Sequence, residues 1–66
     1  MKVNGSKIKE IREGQGLSRE ELAIKAGVTA QAITHWEGGR IRTFAVLAKV
    51  ADALGVDESA ILEAPE

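Results

Sequence analysis

The sequence predicts an all-α domain, a compact bundle of about five short helices, and three observations carry that expectation. Apolar residues recur at three- and four-residue intervals in several short windows, which is the spacing of helices with one buried face. A capping residue precedes each window, and at every cap but Thr43 it is flanked by apolar residues that can close over it, as Val28 and Ile33 flank Thr29. Glycine follows each window, at Gly14 and Gly16, Gly27, Gly38 and Gly39, and Gly55, where a left-handed residue can end a helix.

The first helix is expected over about residues 5–14. Asn4 can cap it, with Ser6 as a rival cap, Val3 and Ile8 can form a hydrophobic staple, and Ile8, Ile11 and Arg12 fall on one inward side. The second is expected over about 19–26, where Ser18 and Glu21 have the spacing of a capping box, Leu17 and Leu22 staple it, and Leu22, Ala23 and Ala26 form an apolar stripe. Thr29 caps the third, at about 30–37, and Gly38 and Gly39 stop it. Only Gly27, Val28 and Thr29 separate helices two and three, so residues 18–37 have the geometry of a helix-turn-helix. Arg40, Ile41 and Arg42 read as a short basic loop. Thr43 then caps a fourth helix with the core-facing stripe Phe44, Leu47, Val50, Ala51 and Leu54, which Gly55 ends. Asp57 caps a last turn or two, stapled by Val56 and Ile61. The expected core is Leu22, Ile33, Trp36, Leu47, Val50 and Leu54.

Sixty-six residues make one domain, 1–66, and a chain of this length buries only about 60% of its unfolded surface. With no cysteine there is neither a disulfide framework nor a thiolate metal site, which suits a reducing compartment and leads us to expect a cytoplasmic protein. No apolar run approaches the roughly 20 residues of a membrane span, and no signal peptide is legible. The net charge of −1 argues against strong nucleic-acid binding, but its distribution argues the other way. Residues 1–51 hold all nine Lys and Arg against five acids, a net of +4, while 52–66 hold five acids and no base. The acidic C-terminal segment is therefore expected to lie away from any DNA face.

The motifs LSREELAIKAGVT, Ile33 within the next helix, WEGG at its end and ALGVDESAIL near the C-terminus together resemble the helix-turn-helix domains of phage repressors and Cro proteins. The resemblance covers most of the chain. It implies a lambda-repressor-like bundle whose third helix lies in the DNA major groove.

On helix three, Ile33 and Trp36 point inward and leave Ala30, Gln31, Thr34 and His35 facing out. Periodicity alone allows that face to be simply solvated; the resemblance implies base contact. Gln31 matches a base-reading position, and a glutamine amide can bond adenine N6 and N7 together. Ala30 offers only apolar contact, as to a thymine methyl, and His35 can bond a base or a phosphate. Arg19, Arg40 and Arg42 are the expected phosphate contacts, joined by Thr29 and the amides of the helix starts. Lys7, Lys9, Lys25 and Lys49 are further surface cations. The resemblance also implies an ion pair between Arg12 and Glu37 that ties the reading helix to the bundle. His35 is the only histidine, so no metal site is expected, and no set of titratable groups suggests an enzyme.

The implied function is a sequence-specific transcriptional regulator, expected to be a repressor that binds double-stranded DNA at a palindromic operator as a weak homodimer. Ile61, Leu62 and Ala64 are candidates for a dimer patch, unless the core absorbs them. No cofactor or small-molecule ligand is expected. The rival is a protein-binding module of the same fold, an antitoxin-like or regulatory partner that works through helix two or the acidic segment.

Overall fold

The computed structural model describes residues 3–62. Its elements are α1 (Gly5–Gly14), α2 (Arg19–Ala26), α3 (Ala30–Glu37), α4 (Phe44–Leu54) and a final 3-10 turn (Glu58–Ile61). The expected boundaries and the expected all-helical class both hold.

The starts are built by side chains that accept from backbone amides left without a helical partner. Asn4, rather than Ser6, caps α1, its Oδ1 accepting from the Ser6 amide at 3.1 Å. Ser18 and Glu21 form a full capping box on α2: Ser18 Oγ accepts from the Glu21 amide at 3.0 Å, and the Ser18 amide donates to Glu21 Oε1 at 2.9 Å. That amide first, and the Ser18 hydroxyl second, hold the Glu21 carboxyl below its ordinary pKa. Thr29 and Thr43 cap α3 and α4 in the same manner. The stops matter most around α3. Gly27, at φ 71°, turns the chain between α2 and α3, and the Val28 amide reaches back to the Ala23 carbonyl at 2.9 Å. Gly39, at φ 79°, does the same after α3, with the Arg40 amide on the His35 carbonyl at 3.1 Å.

The six expected core residues are all buried, together with Ile8, Ala23, Ala26, Ile41, Ala51 and Ile61. Two details differ from the sequence reading, and one alternative that it left open is decided. Phe44 is 62% exposed and does not continue the α4 stripe. It is the first residue of α4, and helical side chains lean toward the N-terminus, so this ring leans off the helix end while the stripe begins at Leu47. The buried apolar side chain of that corner is Ile41, which sits in the loop but is only 7% exposed. Ile61 is fully buried and Leu62 packs against the core, so Ile61 is unavailable as a dimer patch; Ala64 lies outside the described residues.

The ends of the fold are clasped by an isolated antiparallel bridge between Val3 and Leu62, with the Asn4 amide donating to the Ile61 carbonyl at 2.9 Å. Gln15 Nε2 donates to the Leu54 carbonyl at 2.7 Å, joining the end of α1 to the last turn of α4. At Gly5, a Cβ would collide with the Glu37 carbonyl oxygen and stand 2.6 Å from the Gly39 nitrogen, so only glycine lets α1 start against the end of α3.

Candidate nucleic-acid interface

Helix α3 is anchored on one side and open on the other. Ile33 and Trp36 are buried, Gln31, Thr34 and His35 are exposed, and Ala30 and Ala32 are half-buried. Gln31 and His35 stand one turn apart on the same face. The Thr34 hydroxyl donates to the Ala30 carbonyl at 3.3 Å, so its proton is spent within the helix and its remaining capacity is to accept.

A shallow cleft of about 400 Å³ runs beside α3, lined by Thr29, Gln31, Ala32, His35, Trp36 and Arg40. Two expected base readers and two expected phosphate contacts thus meet at one site. Arg40 reaches it because the turn at Gly39 folds the loop back along the helix. Arg42 is exposed on the same loop but outside the cleft lining, and Ala30 and Thr34 lie on the adjoining stripe of α3.

Below the open face, three helix ends converge on Glu37. Arg12 Nε donates to its Oε2 at 2.6 Å, and Arg19 Nε donates to its Oε1 at 3.0 Å. Arg12 is only 6% exposed and also donates through Nη1 to the Leu17 carbonyl at 2.7 Å, so its charge is spent inside the fold. The Arg19 side chain is 44% exposed. Arg19 is therefore no free surface cation: its Nε edge is committed to Glu37, while the rest of the fork reaches solvent at the start of α2. Nothing in the spacing of Arg19 and Glu37 announces this second pair, since they lie on different helices.

Among the described residues no cluster of three His, Cys, Asp or Glu side chains could hold a metal ion, and no helix is long and apolar enough to cross a membrane.

A family model described as helix-turn-helix, HTH_3, matches residues 8–61, which is most of the chain and contains the whole of this site. The chain belongs to the HTH_3 family. With that membership, its function is that of a DNA-binding transcriptional regulator of the helix-turn-helix type. An HTH-type transcriptional regulator of Methanothermobacter thermautotrophicus, itself uncharacterized, is 47% identical over 49 residues, covering 73% of this chain and 71% of that protein. An HTH_3 regulator from Vibrio cholerae superposes with TM-score 0.77 at 31% identity, covering 86% of this chain and 33% of its own. The restriction-modification controller C.AhdI from Aeromonas hydrophila gives TM-score 0.77 at 28% identity, covering 85% of this chain and 86% of its own. Fold similarity extends beyond regulators: HppE in its Fe(II) form gives TM-score 0.83 at 25% identity over 96% of this chain, which spans 34% of that enzyme chain.

Proposed function

We propose that this HTH_3 chain is a repressor that lays α3 in the major groove of a palindromic operator and binds as a homodimer. The observation that carries the reading is the open face of α3, where Gln31 and His35 stand one turn apart beside Arg40 while Ile33 and Trp36 hold the helix in the core. Gln31 is the adenine reader; Ala30, Thr34 and His35 complete the base-facing surface. Arg19, Thr29, Arg40 and Arg42 hold the phosphates on either side, which fixes the register of α3 without reading sequence. One such domain touches few bases, so specificity calls for two half-sites about 34–36 Å apart. The dimer is weak without DNA, and among the described residues Phe44 is a large apolar side chain exposed to serve it. No cofactor or small ligand takes part, and a cysteine-free DNA regulator fits the cytoplasm.

The test separates reading from holding. Gln31→Ala is expected to cost about 1–3 kcal/mol on the preferred duplex and to relax discrimination at one base pair. Arg40→Ala should weaken binding to every sequence alike and reduce the salt slope by about one per subunit. Titrations on preferred and scrambled duplexes at several salt concentrations measure both. An unchanged preference in Gln31→Ala would move the reading face elsewhere.

A second reading, a module that holds another protein, is favoured by Ile24, which is 81% exposed on α2 opposite the core stripe. Binding to no DNA at low salt, or a flat salt dependence, would turn the assignment to that reading.

A further inference from the structure

We propose that the indole N–H of Trp36 is a DNA-binding group: together with Thr29 and Arg40 it seats one backbone phosphate of the duplex in the cleft beside α3. The inference rests on the reading of α3 as the groove-inserted helix, and it adds a contact from a residue that the same reading uses only as core.

Trp36 is 7% exposed, so the body of its ring belongs to the core. Its N–H does not end there. Among the described residues that donor makes no hydrogen bond, yet none of their side-chain N or O atoms is both sealed from solvent and unpaired, so the N–H comes to the surface. The cleft beside α3 is where Trp36 meets that surface, and a tryptophan N–H placed there calls for an acceptor. The same cleft holds two further donors. Thr29 Oγ1 accepts from the Ala32 amide at 3.2 Å, which leaves its own proton for an outside acceptor, and Arg40 brings a full positive charge on the loop that Gly39 turns back. No Asp or Glu lines the cleft, and Glu37, next to Trp36 in the chain, is turned onto Arg12 and Arg19. Base edges offer donors as well as acceptors, whereas a phosphodiester offers acceptor oxygens alone and a negative charge. Donors gathered around one cation with no carboxylate fit the phosphodiester. Position agrees with chemistry: Ala32 and Trp36 stand one turn apart along the edge of α3 between its open and buried faces, where the strand that walls the groove passes a helix inserted in it. The small Ala32 leaves room for the phosphate to approach both Thr29 and Trp36.

The experiment starts from a duplex selected by the wild-type protein out of a random pool. Trp36 is the one tryptophan of the chain, so its indole N–H gives a single side-chain NMR signal. That signal should move downfield on the duplex and exchange more slowly with solvent. Trp36→Phe, which keeps an aromatic ring and removes the donor, should weaken binding about tenfold per half-site, the loss of one hydrogen bond to a charged group. It should do so on preferred and scrambled duplexes alike and leave the salt slope unchanged, because a neutral donor displaces no counterion; Arg40→Ala lowers that slope, and Gln31→Ala alters the preference. Methylphosphonate linkages placed one at a time should find one phosphate per half-site whose neutralisation costs the wild type more than it costs Trp36→Phe, a non-additivity that lost core packing alone does not produce. Circular dichroism establishes that the variant is folded, and the wild-type indole signal decides the matter if it is not. If no duplex is selected, the reading of α3 as the groove helix itself fails. If a duplex is selected but the indole signal keeps its position and its exchange rate, or folded Trp36→Phe binds as the wild type does, or the penalties add at every linkage, the phosphate seat is overturned while the reading helix stands. The seat is equally overturned if inorganic phosphate at the concentration of the duplex moves the signal as the duplex does, because the cleft then takes a free anion.

Discussion

Removing the Glu37 carboxylate should cost this domain a large share of its stability, and the asymmetry of its two arginines sets the scale. In Glu37→Ala the Arg12 guanidinium remains buried, with the Leu17 carbonyl at 2.7 Å as its hydrogen-bond acceptor and the exposed Glu13 carboxylate 3.9 Å away. Breaking a buried pair by deleting one partner costs about 3–5 kcal/mol. A domain of this length holds roughly 3–10 kcal/mol in total, so the variant should be near or beyond the edge of folding. The Arg19 half of the network is different. Its side chain is 44% exposed, and solvent-screened pairs contribute about 0–1 kcal/mol, so Arg19→Ala should barely move the transition. Replacing Arg12 and Glu37 together by Met and Leu should recover most of the loss, because the buried charge is then gone with its partner. Urea unfolding followed by circular dichroism gives the midpoints, and an unchanged slope keeps the comparison to stability alone. The reasoning collapses if Glu37→Ala and Arg19→Ala cost the same, or if the double replacement is worse than Glu37→Ala.

Gly5→Ala forces a Cβ against the end of α3 and should destabilise by about 1–3 kcal/mol, seen as a lowered melting temperature; an unchanged melt would mean that α1 can shift freely. Ser18→Ala removes one side of the capping box and should cost about 0.5–2 kcal/mol in the same assay. Because folding lowers the Glu21 pKa, its contribution is present above the ordinary glutamate range and is lost as the pH falls through the lowered value. Glu21→Gln should flatten that part of the acid melting profile, and a profile identical to wild type would show that the carboxylate charge adds nothing. If Arg19, Arg40 and Arg42 each neutralise one phosphate, a dimer should show a log–log salt slope of about −5; Arg19→Lys, which keeps the charge but loses the planar fork, should retain the slope while losing affinity.

Local chemistry was readable in the sequence wherever one residue acts on its chain neighbours. Asn4, Ser18, Thr29, Thr43 and Asp57 all cap the elements expected of them, because a cap needs only an acceptor at a fixed offset from an orphan amide. The α3 face was legible for a similar reason: with Ile33 and Trp36 committed to the core, helical geometry leaves Gln31, Thr34 and His35 outside. What the sequence hid lies between elements. Periodicity assigned Phe44 to the core because it cannot register that a first-turn side chain leans off the helix, and it missed Ile41 because loops have no period. The Arg19–Glu37 pair, the Gln15–Leu54 bond and the need for glycine at position 5 each depend on how separate helices approach. For the candidate site, the exposed side chains of α3 could be named in advance, whereas the cleft that joins Ala32, Trp36 and Arg40 exists only once the turn at Gly39 has folded the loop back.

The bridge between Val3 and Leu62 closes almost the whole described chain into one loop. In an antiparallel pair the backbone enters and leaves at the same end, so anything attached before and after this domain departs as two adjacent tethers. The Asn4 amide on the Ile61 carbonyl joins the two ends at the residue before α1 begins. The neighbour of that clasp along the chain is Gly5, seated against the end of α3. The clasp of the two chain ends and the seat of α1 on the end of α3 are thus consecutive along the chain, so how the ends close bears directly on how these two helices meet.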